Sequence, residues 1–227
     1  MSFSSIIDQL YVLPILFLSV VIHENAHGLA ALWSGDPTAK RMGRITLNPI
    51  PHIDPIGTLL VPIFSLYMAG QIFIAWAKPV PVNPLNFRNY RRDDMLVSFA
   101  GPFSNLLLSG VFTVIVVVMV WIGNMLGESL PAAGVEFFRY LIKTFSIGIY
   151  LNVVLAVFNM IPVPPLDGSH IVASMLPPEI GERYRSIGFM GVLVVIFLMR
   201  VPLVEHIFSF VINAMMVPYS LILQILT

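Results

Sequence analysis

The sequence predicts an all-α, polytopic membrane protein, on three observations. Of its residues 57% are apolar and only 11% charged, mean hydropathy is +0.88, and long apolar stretches alternate with short polar ones. Charge is balanced, with 12 Lys+Arg against 12 Asp+Glu, so nothing favours a nucleic acid and none is expected as a partner; the expected surroundings are the lipid bilayer. There is no cysteine. Disulfides, iron–sulfur clusters and thiolate metal sites are therefore excluded, and any metal must sit on His and carboxylate groups.

Taken in order, residues 5–34 form the first apolar stretch. They lack the basic leader and small-residue cleavage pattern of a signal peptide and read as a retained span. Residues 56–76 are broken by Gly57, Pro62 and Gly70, which fits either one crossing or a re-entrant hairpin of two half-helices. Residues 94–122, 137–161, 187–200 and 202–226 complete the set, at roughly 20 residues per crossing. The polar stretches between are short, so residues 1–227 read as a single integral-membrane domain. Charge arbitrates the topology. Six crossings would leave six Lys/Arg on each face, whereas a hairpin at 56–76 gathers nine on one face against three, as the positive-inside bias favours. The expectation is five to six transmembrane helices, preferably five plus the hairpin, with the N-terminus outside the cell membrane.

Residues 20–33, VVIHENAHGLAALW, put two histidines and a glutamate into an apolar run. A charged side chain at mid-bilayer costs about 2.5–3.5 kcal/mol on insertion scales, so such groups usually face the protein interior and serve a function. His23 and His27 are an i, i+4 pair on one helical face, roughly 6 Å apart and able to share one metal ion. Glu24 is rotated by about 100° from His23, too far to ligate easily but well placed to take a proton from a metal-activated water. The alternative is a pair of interior histidines hydrogen-bonded to neighbours.

A zinc site of this kind needs a third protein ligand and one open position. Asp167 is the only acid between Glu136 and Glu179, and follows the proline-rich break FNMIPVPPLDGSH at 158–170. Pro162, Pro164 and Pro165 keep that chain extended, and Gly168 suits a tight turn, so the carboxylate can enter from a helix end. Its bland use would be as an N-cap for a helix starting near Ser169.

Together, HENAH at 23–27 and the Asn159…Pro-Leu-Asp167-Gly168 element resemble the site-2 protease family of intramembrane zinc metalloproteases. LNPIPHIDPIGT (47–58), WAKPVPVNP (76–84) and AGPFSN (100–105) extend the likeness to its compact branch without PDZ or CBS domains. The resemblance implies regulated intramembrane proteolysis of single-pass or already cleaved membrane-protein substrates, at a site nearer the cytoplasmic side. It also implies one zinc per chain on His23, His27 and Asp167, with Glu24 activating water and Asn159 at the scissile peptide or its oxyanion. Asn105 is a further candidate for contact with substrate. His170 departs from the pattern, where a larger basic or a small residue is expected. On the residues alone, Asn159 equally suits helix-to-helix hydrogen bonding, and Gly101-Pro102 beside Asn105 suits close packing at a helix start.

A helical substrate hides its carbonyls, so it must unwind and find new hydrogen-bond partners, which a strand edge offers. Residues 40–48 and 78–84 read as a small β element at the membrane surface, with Arg44, Ile45, Thr46 and Leu47 pairing to substrate. Two loops bound to lipid headgroups through Lys40, Arg41 and Arg44 is the alternative. At the level of function, a metal transporter or a non-catalytic helix-binding relative would also bury His and Asp, though neither has a use for Glu24.

Overall fold

The computed structural model describes residues 12–60, 77–126 and 130–226. The described residues form helices and loops, with no strand among them. In chain order the principal helices are α1 (Val12–Trp33), α2 (Tyr90–Leu126), α3 (Ala132–Asn159), α4 (Asp167–Met175), α5 (Pro178–Arg185), α6 (Gly191–Leu198) and α7 (Pro202–Leu226). Four of them, α1, α2, α3 and α7, are long and apolar enough to cross a membrane, which makes this a multi-pass membrane protein.

Helix α2 is the centre of the bundle and packs against α1, α3, α4 and α7. Its 37 residues rise about 55 Å, well beyond the roughly 30 Å of hydrocarbon, and it opens on the polar turn Arg91–Asp94. Lipid is as apolar as leucine, so the helices are held by close packing rather than by escape from water. Ile15, Leu108, Phe112, Val116 and Ile149 interlock where α1, α2 and α3 meet. A Cβ added to Gly148 would stand 2.8 Å from the Phe112 ring, so the α3 backbone reaches α2 only because that side chain is missing.

Helix directions follow from contacts at their ends. The Arg88 amide donates to Ser34 O at 3.1 Å, so α1 ends where α2 begins. Helix α3 runs antiparallel to α2, with Ser109 on Ile149 O and Asn105 on Asn152. Phe158, at the end of α3, meets Phe208, near the start of α7, while the Trp121 indole donates to Leu226 O. So α7 starts at the same end of the bundle at which α3 finishes, and α4, α5 and α6 all stay at that end. The expected crossing at 187–200 does not occur: only eight of its residues form α6, about 12 Å of helix, far short of the bilayer core.

Most of the 56–76 stretch, residues 61–76, lies outside the described residues. Its flanks meet: the Lys78 amide donates to His52 O at 2.9 Å, where a single crossing would part them by about 30 Å. The expected β element is also replaced. Lys40 and Arg41 belong to a one-turn helix, Thr38–Arg41, and neither 40–48 nor 78–84 forms a strand. Pro79, Pro81 and Pro84 have no N–H to give a ladder. The buried side chain of Arg44 joins the two segments instead, donating to Lys78 O at 2.8 Å and Pro79 O at 3.2 Å.

Candidate metal centre

Helical spacing on α1 brings His23 Nε2 and His27 Nε2 to 3.0 Å, with their rings nearly perpendicular at 84°. From α4, Asp167 Oδ2 lies 3.2 Å from His23 Nε2, and Oδ1 lies 3.3 Å from His27 Nε2. Among the described residues these three form the one His and carboxylate group close enough to hold a metal.

The tautomers are set from behind. His27 Nδ1 is 2.7 Å from Val97 O, which can only accept, so that nitrogen carries the proton. His23 Nδ1 is 2.6 Å from Asn105 Oδ1, because the Asn105 amide nitrogen is turned away to donate to Asn152 Oδ1. Both Nε2 lone pairs therefore point at each other and at a carboxylate whose buried Oδ2 has no hydrogen-bond partner. Such a donor set repels itself unless a cation stands between its members. Ligands bonded at about 2.05 Å to one tetrahedral zinc stand about 3.3 Å apart; the two Nε2 atoms, at 3.0 Å, are close to that spacing, and each has one carboxylate oxygen beside it, at 3.2 and 3.3 Å. Room is kept by Gly101 of α2, where a Cβ would lie 2.6 Å from His23 Nε2 and closer still to His27 Nε2.

Asp167 is the first residue of α4 and does not cap it; Leu166 holds the cap position, with no side-chain cap bond. Gly168 does not have a positive φ either. It is needed for space, since a Cβ there would run into the Met160 carbonyl. The height of α4 is fixed by a second cluster. Asp94 of α2 accepts from Arg185 Nη2 at 2.6 Å and Ser174 Oγ at 2.5 Å, while Arg185 also donates to the Tyr90 hydroxyl. His170 stands 3.8 Å from Asp94 and outside the ligand group. Burial, aided by Arg185 against the pull of Asp94, pushes its imidazole down.

Glu24 faces a different partner, the segment 77–83, whose Val80 amide donates to Glu24 Oε2 at 2.7 Å. That segment is strapped down by Arg44, by His52 O and by the Asp36 carboxylate, which accepts from the Asn83 amide at 2.6 Å. Asn25, the third residue of the HENAH run, donates to Thr46 O at 2.7 Å and to Val21 O at 2.8 Å. Of the residues expected to line a substrate strand, Arg44 is buried and Thr46 O is already taken by Asn25 and His52. Ile45 packs near Gly28, and Leu47 is 71% exposed.

Asn105 is wholly buried behind His23. Asn159 is the last residue of α3 and donates to Leu155 O at 3.0 Å, within its own helix. Sequence reasoning took Gly101 only for close helix packing and Asn25 only as part of the HENAH run, and it did not single out Asn152 or Ser19. Asn152 donates to Ser19 Oγ at 2.8 Å and Ser19 to Ile15 O at 2.7 Å, which completes a buried chain from His23 across three helices.

Residues 86–199 match peptidase family M50. The chain is 39% identical over 204 residues to "Putative zinc metalloprotease YwhC" of Bacillus subtilis, covering 90% of this chain and 86% of that protein. It is 26% identical over 188 residues to "Putative zinc metalloprotease Rip2" of Mycolicibacterium smegmatis, covering 82% of this chain and 64% of that one. The Rip2 protein of Mycobacterium tuberculosis is 28% identical over 165 residues, 71% of this chain and 56% of its own length. No solved structure gives a significant match.

Proposed function

The chain belongs to peptidase family M50, a zinc metalloprotease by that membership, and from this premise we propose that it hydrolyses peptide bonds within the transmembrane segments of membrane-protein substrates. His23, His27 and Asp167 hold the zinc, and the whole of 1–227 acts as one domain in the cell membrane. One observation carries the reading: three metal-ligand side chains converge on a point made by the spanning helices α1 and α2 and the returning helix α4. A site built there meets substrates that lie in the bilayer.

When bound, zinc brings the pKa of a coordinated water down to about 7 and polarises the scissile carbonyl. Glu24 takes the proton from the attacking water and returns it to the departing amine. The Val80 amide holds Glu24 Oε2, which leaves Oε1 as the oxygen to receive that proton. The buried His27–Val97 and His23–Asn105 bonds keep both imidazoles in the ligating tautomer throughout. At the end of α3, Asn159 has a carboxamide suited to the oxyanion once its bond to Leu155 O is exchanged. Substrates are single-pass or previously shortened membrane proteins, approaching a site nearer the cytoplasmic, Arg-rich face. Leu47, exposed beside the strap, is the member of the 44–47 run free to touch them.

The test is a purified preparation given a transmembrane-helix reporter, with zinc counted by mass spectrometry. Wild type holds about one zinc per chain; Asp167→Ala and His23→Ala lose it. Glu24→Gln keeps its zinc and loses about 10²–10⁴-fold in cleavage. Undiminished cleavage by Glu24→Gln would remove the base, and cuts confined to the reporter's soluble loops would remove the intramembrane position.

A further inference from the structure

A second concave site lies on the outer side of the bundle, where α1 ends and α2 begins. It is a cavity of about 430 Å³. Its polar end is made by Arg88 and Arg92, whose guanidinium groups form no ion pair or hydrogen bond among the described residues. One acid shares this end, Asp93, but it is buried and its Oδ2 accepts from the Asn89 amide at the start of α2. The end therefore has a net positive charge. Below it Leu96, Phe99 and Phe103 line the groove from one face of α2, each 44–48% exposed, with the two phenylalanine rings stacked at 5.8 Å. Trp33, 75% exposed at the last residue of α1, borders the polar end, where an indole marks the level of the headgroups.

Free cations at the membrane surface followed by an apolar channel running down into hydrocarbon match an amphiphile with an anionic head. From Arg92 to Phe103 the helix rises about 16 Å, a length along which an acyl chain can lie against Leu96, Phe99 and Phe103. We propose that the groove binds one anionic phospholipid, its phosphate on Arg88 and Arg92 and one chain along Leu96, Phe99 and Phe103. The groove also lies on the turn of α2 that holds the metal site, since Val97, between Leu96 and Phe99, supplies the carbonyl for His27.

The experiment is native mass spectrometry of the intact, zinc-loaded protein in detergent, titrated with phosphatidylglycerol, with phosphatidylcholine of the same chains, and with inorganic phosphate. The expected result is one phosphatidylglycerol bound with at least tenfold preference over phosphatidylcholine, lost in the Arg88→Gln/Arg92→Gln double variant. Phe99→Ala, which leaves the cations in place, should weaken the same binding several-fold. Zinc stoichiometry checks that each variant is folded. Equal binding of the two lipids, retention of phosphatidylglycerol by the double variant, or capture of inorganic phosphate in place of lipid would each overturn the proposal.

Discussion

Asn105 has no exposed surface, and both of its polar ends are engaged, Oδ1 with His23 and Nδ2 with Asn152. Asn105→Leu should therefore act at a distance: the His23 N–H loses its acceptor and Asn152 Oδ1 is orphaned, the latter costing about 1–3 kcal/mol. Zinc affinity should fall by about 10–100-fold, measured by competition with a chromogenic chelator, together with a lower melting temperature. Unchanged affinity with a lowered melting temperature would reduce this chain of bonds to packing. Gly101→Ala makes the opposite separation. Its Cβ would occupy the space between the two imidazoles, so zinc should be lost while helicity by circular dichroism is kept. At this scale the His23, His27 and Asp167 group that the structure gathers was legible because each member broke a local pattern: two histidines at i, i+4 in an apolar run, and one acid alone between Glu136 and Glu179. Asn152 and Ser19 broke none. They lie 133 residues apart, and a single Asn or Ser inside a span looks the same whether it supports a metal ligand or joins two helices.

The segment 78–84 was read as part of a β element and instead forms a strap without a strand, and the difference is chemical. Pro79, Pro81 and Pro84 remove the donors a ladder needs, so side chains from elsewhere hold the segment. Asp36 is the anchor at its far end. Burial pushes its carboxyl up, but donors from Asn83, Thr38 and Asn86 outweigh that and hold it below the ordinary carboxylate range. A carboxyl lowered in the folded state adds stability that is fully present above the unfolded pKa of about 3.9 and is lost as pH falls through the folded value. Melting temperatures of wild type and Asp36→Asn, followed from about pH 7 to about pH 3, should thus differ most at neutral pH and converge at the acid end. Parallel curves would mean that the Asp36 carboxyl titrates alike in the folded and the unfolded chain. The run at 187–200 erred for a similar reason: hydropathy measures apolar length, and Gly188 and Gly191 end or divide the helix before it is long enough to cross.

Fold class and membrane character were legible over the whole chain from composition, but handedness across the bilayer depends on which stretches cross, and that is settled by contacts between distant ends. With α6 confined to the end where α3 finishes, Arg200 joins the basic face, and the expected nine against three becomes ten against two. On the positive-inside bias that face is the one expected in the cytoplasm, and labelling tests the expectation. Because the chain has no cysteine, one introduced residue reports its own side without any background to remove. Lys40→Cys, Ser186→Cys and Glu205→Cys lie at exposed positions on the basic end, and Glu136→Cys at the opposite end, in the first turns of α3. In inside-out vesicles a membrane-impermeant maleimide should label the first three and spare Glu136→Cys; in right-side-out cells the pattern should reverse. Glu205→Cys is the discriminating position, because labelling it together with Glu136→Cys would require 187–200 to cross after all. If Lys40→Cys and Ser186→Cys divided between the two faces, the end on which α4 returns to meet α1 would be wrong, and with it the route by which Asp167 reaches the histidines.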